Sequence, residues 1–223
     1  MLPIRQSGNL IHNYFEDEAW GNNTVIVGID EVGRGCLAGP VVAAAVIIPA
    51  HTHHQLLQDS KILTLAQRLE AYAWIQEHCW SSYGIIHNRL IDKHNIYQST
   101  LMAMRKALLQ LLEHTPHAPS TIVVDAMPLR LDNTHAQHIP VHYFNFGESF
   151  SSSIAAASIV AKVTRDRLMH SFDTIIPGFS LARNKGYATI HHRKALSEIH
   201  YSIIHRTRFV KTVLDKNNNE TPL

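Results

Sequence analysis

The stretch VIVGIDEVGRGCLAGPVVAAAVIIP, residues 25–49, constrains this chain more than any other. Its two β-branched runs, Val25–Ile29 and Val41–Ile48, read as strands joined by a glycine-rich turn. Asp30 and Glu31 close the first run, with Arg34 just beyond them. A chain that brings two negative charges and an arginine to the edge of its core must use them or neutralise them.

Other elements follow the same logic. Apolar spacing predicts helices over Ala66–Cys79 and Gln98–His114, the second through Leu101, Met104, Leu108, Leu111 and Leu112. TIVVDA, residues 121–126, is a short buried strand ending in Asp125. SSSIAAASIVAKVTRDRLMHSF opens with capping serines and continues as a helix until Pro177 and Gly178 stop it. A shorter helix is expected over about Thr189–His200. Strands followed by alternating strands and helices imply an α/β fold, a mixed sheet covered by helices. Residues 1–24 read as an extension, 25–214 as the main domain, and 215–223 as a disordered tail.

Composition narrows the class. With 223 residues, 45% hydrophobic and 17% charged, the chain can bury the core of one sizeable domain. The longest apolar run, Val41–Ala50, is interrupted by Pro49 and is too short to span a bilayer. The N-terminus lacks the basic and apolar regions of a signal peptide, so a cytoplasmic protein is expected. Cys36 and Cys79 cannot build a disulfide framework and are expected as reduced thiols. A net charge of +2 and a pI near 8.6 permit a nucleic-acid partner without arguing for one. Among the 17 histidines, HTHH at 51–54 and HH at 191–192 lack a second ligand pair at zinc-finger spacing, and solvent exposure is the simpler reading.

Mid-strand neighbours point to opposite faces, so Asp30 and Glu31 can converge only if the strand ends there and the chain bends; Gly33 and Gly35 supply that freedom. Asp125 ends another strand, and Glu148 lies in the loop FGESFSSS before the long helix. If the two strands are neighbours, four carboxylates can meet at one sheet edge, a cluster that requires a cation. Oxygen-only donors point to magnesium or manganese, and two such ions would suit phosphodiester chemistry. A single aspartate after a strand is, by contrast, often a turn residue or a cap. GRGCLAGP is neither a Walker loop nor GxGxxG.

The same residues carry a resemblance. GIDEVGRGCLAGPVVAAAVI is similar to the signature of the ribonuclease HII family, and the likeness continues through DSK at 59–61, HNIYQSTLMAMRKAL at 94–108, VVDA at 123–126, SIAAASIVAKVTRDR at 153–167, NKGYATIHH at 184–192 and HRTRF at 205–209. The resemblance implies a ribonuclease H-like fold, with a central mixed five-stranded sheet flanked by helices and a C-terminal helical extension. It also implies cleavage of RNA in RNA–DNA hybrids, and cutting 5′ of ribonucleotides embedded in duplex DNA, leaving 3′-hydroxyl and 5′-phosphate ends. Position by position, it implies Asp30, Glu31, Asp125 and Glu148 as catalytic ligands of Mn2+ or Mg2+. Gly33, Arg34 and Gly35 would line the ribonucleotide, and Tyr187 would pack on the next, deoxy sugar. Ser60, Lys61, Lys162 and Arg165 would contact phosphates, although Lys162 and Arg165 fit a solvated helix face equally well. A monomer acting on nucleic acid is expected.

Four positions depart from the family pattern. Cys36 replaces proline, Glu148 replaces aspartate, and Phe146 and Phe150 stand where KGDAKS carries lysines. Two competing readings are a non-catalytic hybrid-binding module on the same fold, which would lack a metal carboxylate, and a DNA-only nuclease, which has no use for a 2′-hydroxyl reader.

Overall fold

The computed structural model describes residues 5–6, 9–10, 13–50, 52, 54–57 and 60–219. A two-residue antiparallel pair, Arg5–Gln6 with Asn9–Leu10, precedes helix α1 (Tyr14–Gly21). The body is a five-stranded sheet of β1 (Val25–Val32), β2 (Val41–Ile47), β3 (Trp80–Ile86), β4 (Pro119–Asp125) and β5 (Val141–Phe144), in spatial order β3-β2-β1-β4-β5. β1–β2 and β2–β3 pair antiparallel, whereas β1–β4 and β4–β5 pair parallel, so the sheet is mixed. Helices α2 (Leu65–His78), α3 (Asn88–His114) and α4 (Ser152–Ile175) cover it, and α5 (Leu181–Asn184), α6 (Ile190–Ile199) and α7 (Thr207–Asn219) form the C-terminal extension.

The period of two decides which helix each strand residue meets. Val27, Ile29, Ala43, Ala45 and Ile47 cluster with Ala103, Met104, Ala107 and Leu108 of α3. Ala44 and Val46 cluster with Ala71 and Ile75 of α2 and Ala156, Ala157, Ile159 and Val160 of α4. The two central runs are apolar throughout because both faces are covered.

One contact sets how closely α4 lies. A Cβ on Gly28 would stand 2.2 Å from the Ser153 backbone carbon, so only glycine lets β1 meet the first turn of α4.

The expected helices are present with small shifts at their ends. Thr64 and Gln67 form a reciprocal capping box on α2, the Ser151 and Thr189 hydroxyls cap α4 and α6, and α4 stops just before Pro177. The helix expected from 98 is preceded by about two further turns, beginning at Asn88. Asn95, at φ 64° and ψ 167°, kinks α3, and its Oδ1 accepts Gln98 N–H, starting the chain again. β3, β5 and α1 carry no strong sequence pattern and emerge only in the structure, as does α7 despite its apolar face of Phe209, Val210, Val213 and Leu214. The tail expected to be disordered from 215 is helical to Asn219, and residues 220–223 lie outside the described residues. No helix among the described residues is long and apolar enough to cross a membrane.

Candidate active site

β1 pairs with β4 only as far as Ile29↔Val124, whereas its pairing with β2 continues to Val32↔Val42. Beyond Ile29 one edge of β1 is therefore open, and a pocket of about 400 Å³ lies there, lined by Asp30, Glu31, Gly33, Arg34, Gly35, Ser60, Lys61, Asp125, Ser158, Lys162 and Tyr187 among others.

Strand parity explains the carboxylates. Asp30 shares its face with Gly28 and Asp125 with Val123, and both faces look toward α4. The Ser158 hydroxyl of α4 hydrogen-bonds the Asp30 carboxylate, and Ser158 also bonds Ser60 Oγ at 2.8 Å. The strand does not end at Asp30, since β1 runs on to Val32. Glu31 has the opposite parity, yet lines the same pocket because β4 has already ended beside it. Backbone N–H groups hold the aspartates: Glu31 N–H donates to Asp30 Oδ1 at 2.6 Å, and Gly147 N–H to Asp125 Oδ1 at 2.8 Å.

Burial dominates the electrostatics of the cluster. Burial pushes the Asp30 carboxyl well above the usual carboxylate range, and the charges of Glu31 and Asp125 push it further. Burial also raises Glu31, against the pull of Arg34, whose Nη1 lies 3.3 Å from Glu31 Oε1. Glu148 stands apart. Buried in the turn between β5 and α4, it does not line the pocket, and its Oε1 meets Lys61 Nζ at 3.0 Å. The second oxygens, Glu31 Oε2 and Glu148 Oε2, are buried with no hydrogen-bond partner among the described residues. Among those residues, no three histidine, cysteine or carboxylate side chains converge in ligand-ready geometry. The donor set nonetheless fits a hard divalent cation: every donor is oxygen, two buried lone-pair atoms are unengaged, and Asp30 is raised by its neighbours' charge.

The glycine-rich loop is shaped from behind. Gly33 sits at φ 96°, and a Cβ there would lie 2.2 Å from Arg165 Nε. Gly35 has nothing within 4 Å of its Cβ position, so its backbone is open to the pocket. Arg165 is corrected here. It is fully buried and donates to Pro40 O, Lys185 O and Ala38 O, so its guanidinium cannot reach a phosphate. Arg206 does the same work, donating to Gly39 O, Arg34 O and Gly33 O. The remaining phosphate candidates keep their place at the pocket. Lys162 is paired with Asp166 at 2.8 Å, Lys61 is largely exposed, and Ser60 is buried with its carbonyl gripped by Arg68 Nε and Nη2.

Tyr187 is 41% exposed at the pocket wall, and its hydroxyl is a hydrogen-bond partner of the Cys36 thiol, the residue that replaces proline. A relay fixes its backbone. Ser202 N–H donates to His205 Nδ1 at 3.0 Å, which leaves the proton on His205 Nε2 to face His192 Nε2 at 3.0 Å. His192 then carries its proton on Nδ1, 2.9 Å from Tyr187 O. Arg206, His192, His205 and Ser158 are the residues that sequence reasoning missed. All four lie inside the segments that carry the resemblance, but nothing in their spacing separates them from surface polar residues.

Comparison with known proteins decides the family. The profile described as Ribonuclease HII matches residues 27–212. The chain is 46% identical over 185 residues to ribonuclease HII of Listeria innocua serovar 6a, covering 82% of this chain and 67% of that one. The chain belongs to the ribonuclease HII family. Ribonuclease H2 of Pyrococcus horikoshii OT3 shares the fold at TM-score 0.68 and 20% identity, over 89% of this chain and 100% of that one. Bst-RNase HIII in complex with Mn2+ shares it at TM-score 0.67 and 17% identity, over 97% and 77%. As a ribonuclease HII family member the chain is a metal-dependent ribonuclease H endonuclease, and the non-catalytic reading falls.

Proposed function

We propose that the chain, acting as a cytoplasmic monomer, hydrolyses the RNA strand of RNA–DNA hybrids and cuts 5′ of ribonucleotides embedded in duplex DNA, leaving 3′-hydroxyl and 5′-phosphate ends, and so serves ribonucleotide excision during DNA repair and replication. The observation that carries this reading is a single pocket joining Asp30, Glu31 and Asp125 to the 33–35 loop and Tyr187. Acidic oxygens on one wall suit a cation-bridged phosphate, while open backbone at Gly35 can approach a 2′-hydroxyl.

Asp30, Glu31, Asp125 and Glu148 would hold the metal; Glu148 joins when its carboxylate leaves Lys61. Two bound divalent ions would activate the attacking water and stabilise the departing 3′ oxygen. Support for manganese comes from Glu148, whose extra methylene suits a less exacting cation than magnesium, and from the Mn2+ in the Bst-RNase HIII structure. Tyr187, fixed by Cys36 and the histidine relay, would lie against the deoxyribose that follows the ribonucleotide and disfavour a second 2′-hydroxyl. Ser60, Lys61 and Lys162 would position the backbone without reading sequence.

The test uses three duplexes, with one embedded ribonucleotide, a full RNA–DNA hybrid and all-DNA, each incubated with Mg2+ or Mn2+. Cleavage 5′ of the lone ribonucleotide is expected, and cleavage of all-DNA is not. Failure to cut the embedded site while cutting the hybrid would remove the junction reading.

A further inference from the structure

α1 lies before residue 27, where the family match begins, yet it is joined to the turn that carries Glu148. Asn13 N–H donates to Phe150 O at 2.6 Å, and Asn13 Oδ1 accepts Ser152 N–H at 2.9 Å. Glu16, 1% exposed, accepts through one oxygen from Ser151 Oγ at 2.5 Å and from Ser153 N–H at 3.0 Å. The Ser151 hydroxyl in turn accepts Ile154 N–H. The first amides of a helix have no partner within it, and here the extension supplies two of them, at Ser152 and Ser153. A buried carboxylate at this end also complements the helix dipole.

What this grip controls follows from the neighbouring contacts. The 147–149 turn and the start of α4 are continuous chain, so fixing Phe150–Ser153 fixes where Glu148 leaves the backbone. On the other side, Ser153 is the residue that packs directly on Gly28, two residues before Asp30. Phe15 anchors α1 by stacking on Phe144 of β5, and Ala19 packs with Ile26, Val123 and Ile154.

We infer that Asn13 and Glu16 are positioning residues: the extension sets the Glu148 turn against the aspartate pair and thereby tunes divalent-metal affinity. The inference rests on the reading of Glu148 as a metal ligand. A purely structural extension would change the unfolding midpoint but not the metal affinity of molecules that remain folded.

The experiment is calorimetric titration of Mn2+ into full-length, substrate-free protein, well below the unfolding midpoint of the least stable variant. Glu16→Ala should weaken binding about tenfold, the low end of what losing a supporting contact costs a metal site. Asn13→Gly keeps the left-handed backbone of Asn13 (φ 56°) but removes its side-chain acceptor, and should weaken binding in the same direction by less. In a Glu148→Ala background neither change should weaken it further. Unchanged affinity in folded Glu16→Ala, or the same loss when Glu148 is already absent, overturns the inference. If Glu148→Ala itself binds Mn2+ like the wild type, the ligand reading falls and takes this one with it. Should Glu16→Ala fail to fold, Asn13→Gly decides by the same criteria.

Discussion

Asp30 occupies an uncomfortable place: buried, raised by its surroundings, and facing two other carboxylates. Its elevated protonation favours the metal-free fold below the ordinary carboxylate range, an advantage lost as pH rises through the raised value. Asp30→Asn or Asp125→Asn should therefore abolish most cleavage at saturating metal, while the metal-free unfolding midpoint holds or rises. Calorimetry and a single-ribonucleotide cleavage assay check the two halves separately, and near-normal turnover by either variant would contradict the assignment. Glu148 makes a different prediction. Its side chain is longer than aspartate by one C–C bond, about 1.5 Å, so Glu148→Asp should shift the ratio of manganese- to magnesium-supported activity toward magnesium. An unchanged ratio across both titrations would show that the turn absorbs the difference.

Among the elements, the wall around Tyr187 rests on the His192–His205 relay. Burial holds His192 below its ordinary value, and burial with the neighbouring His192 charge holds His205 at about 4. A depressed histidine contributes stability above about pH 6.5 that is lost as pH falls toward 4, on the order of 3 kcal/mol for a shift of this size. Urea unfolding between those pH values should show the loss, and His205→Gln should flatten it. Tyr187→Ala should cost more on an embedded ribonucleotide than on a continuous hybrid, about tenfold if stacking supplies its usual energy; equal losses would make the tyrosine structural.

This is also the scale at which sequence reading succeeded and stopped. Val25–Ile29, Val41–Ile48 and the capped helices were legible because period and caps are local. Arg165 was misplaced because a helix-borne arginine looks the same whether it meets water or three carbonyls. The partners of Glu16 and Arg206 were invisible, since they lie 135 to 173 residues away.

Across the whole molecule, the pocket is assembled from widely separated parts of the chain: β1 from its first half, β4 and α4 from its second, with Arg206 holding the loop from beyond residue 200. Pairing β1 with β2 is local, but shaping the 33–40 loop waits for partners 125 and 173 residues away. Contacts of such separation form late, after shorter loops have closed. During refolding from urea, far-UV ellipticity should recover before Mn2+ binding and cleavage; coincident recovery would mean that the loop takes its shape without the arginines. The same geometry governs synthesis on the ribosome, where the N-terminal part emerges first. A nascent chain that has released Asp30, Glu31, Asp125 and Glu148 holds the proposed metal ligands but lacks the guanidinium that grips the Gly33, Arg34 and Gly39 carbonyls. Cleavage is therefore expected only once Arg206 has left the exit tunnel, and a nascent chain stalled before that point should not cut a duplex carrying one ribonucleotide.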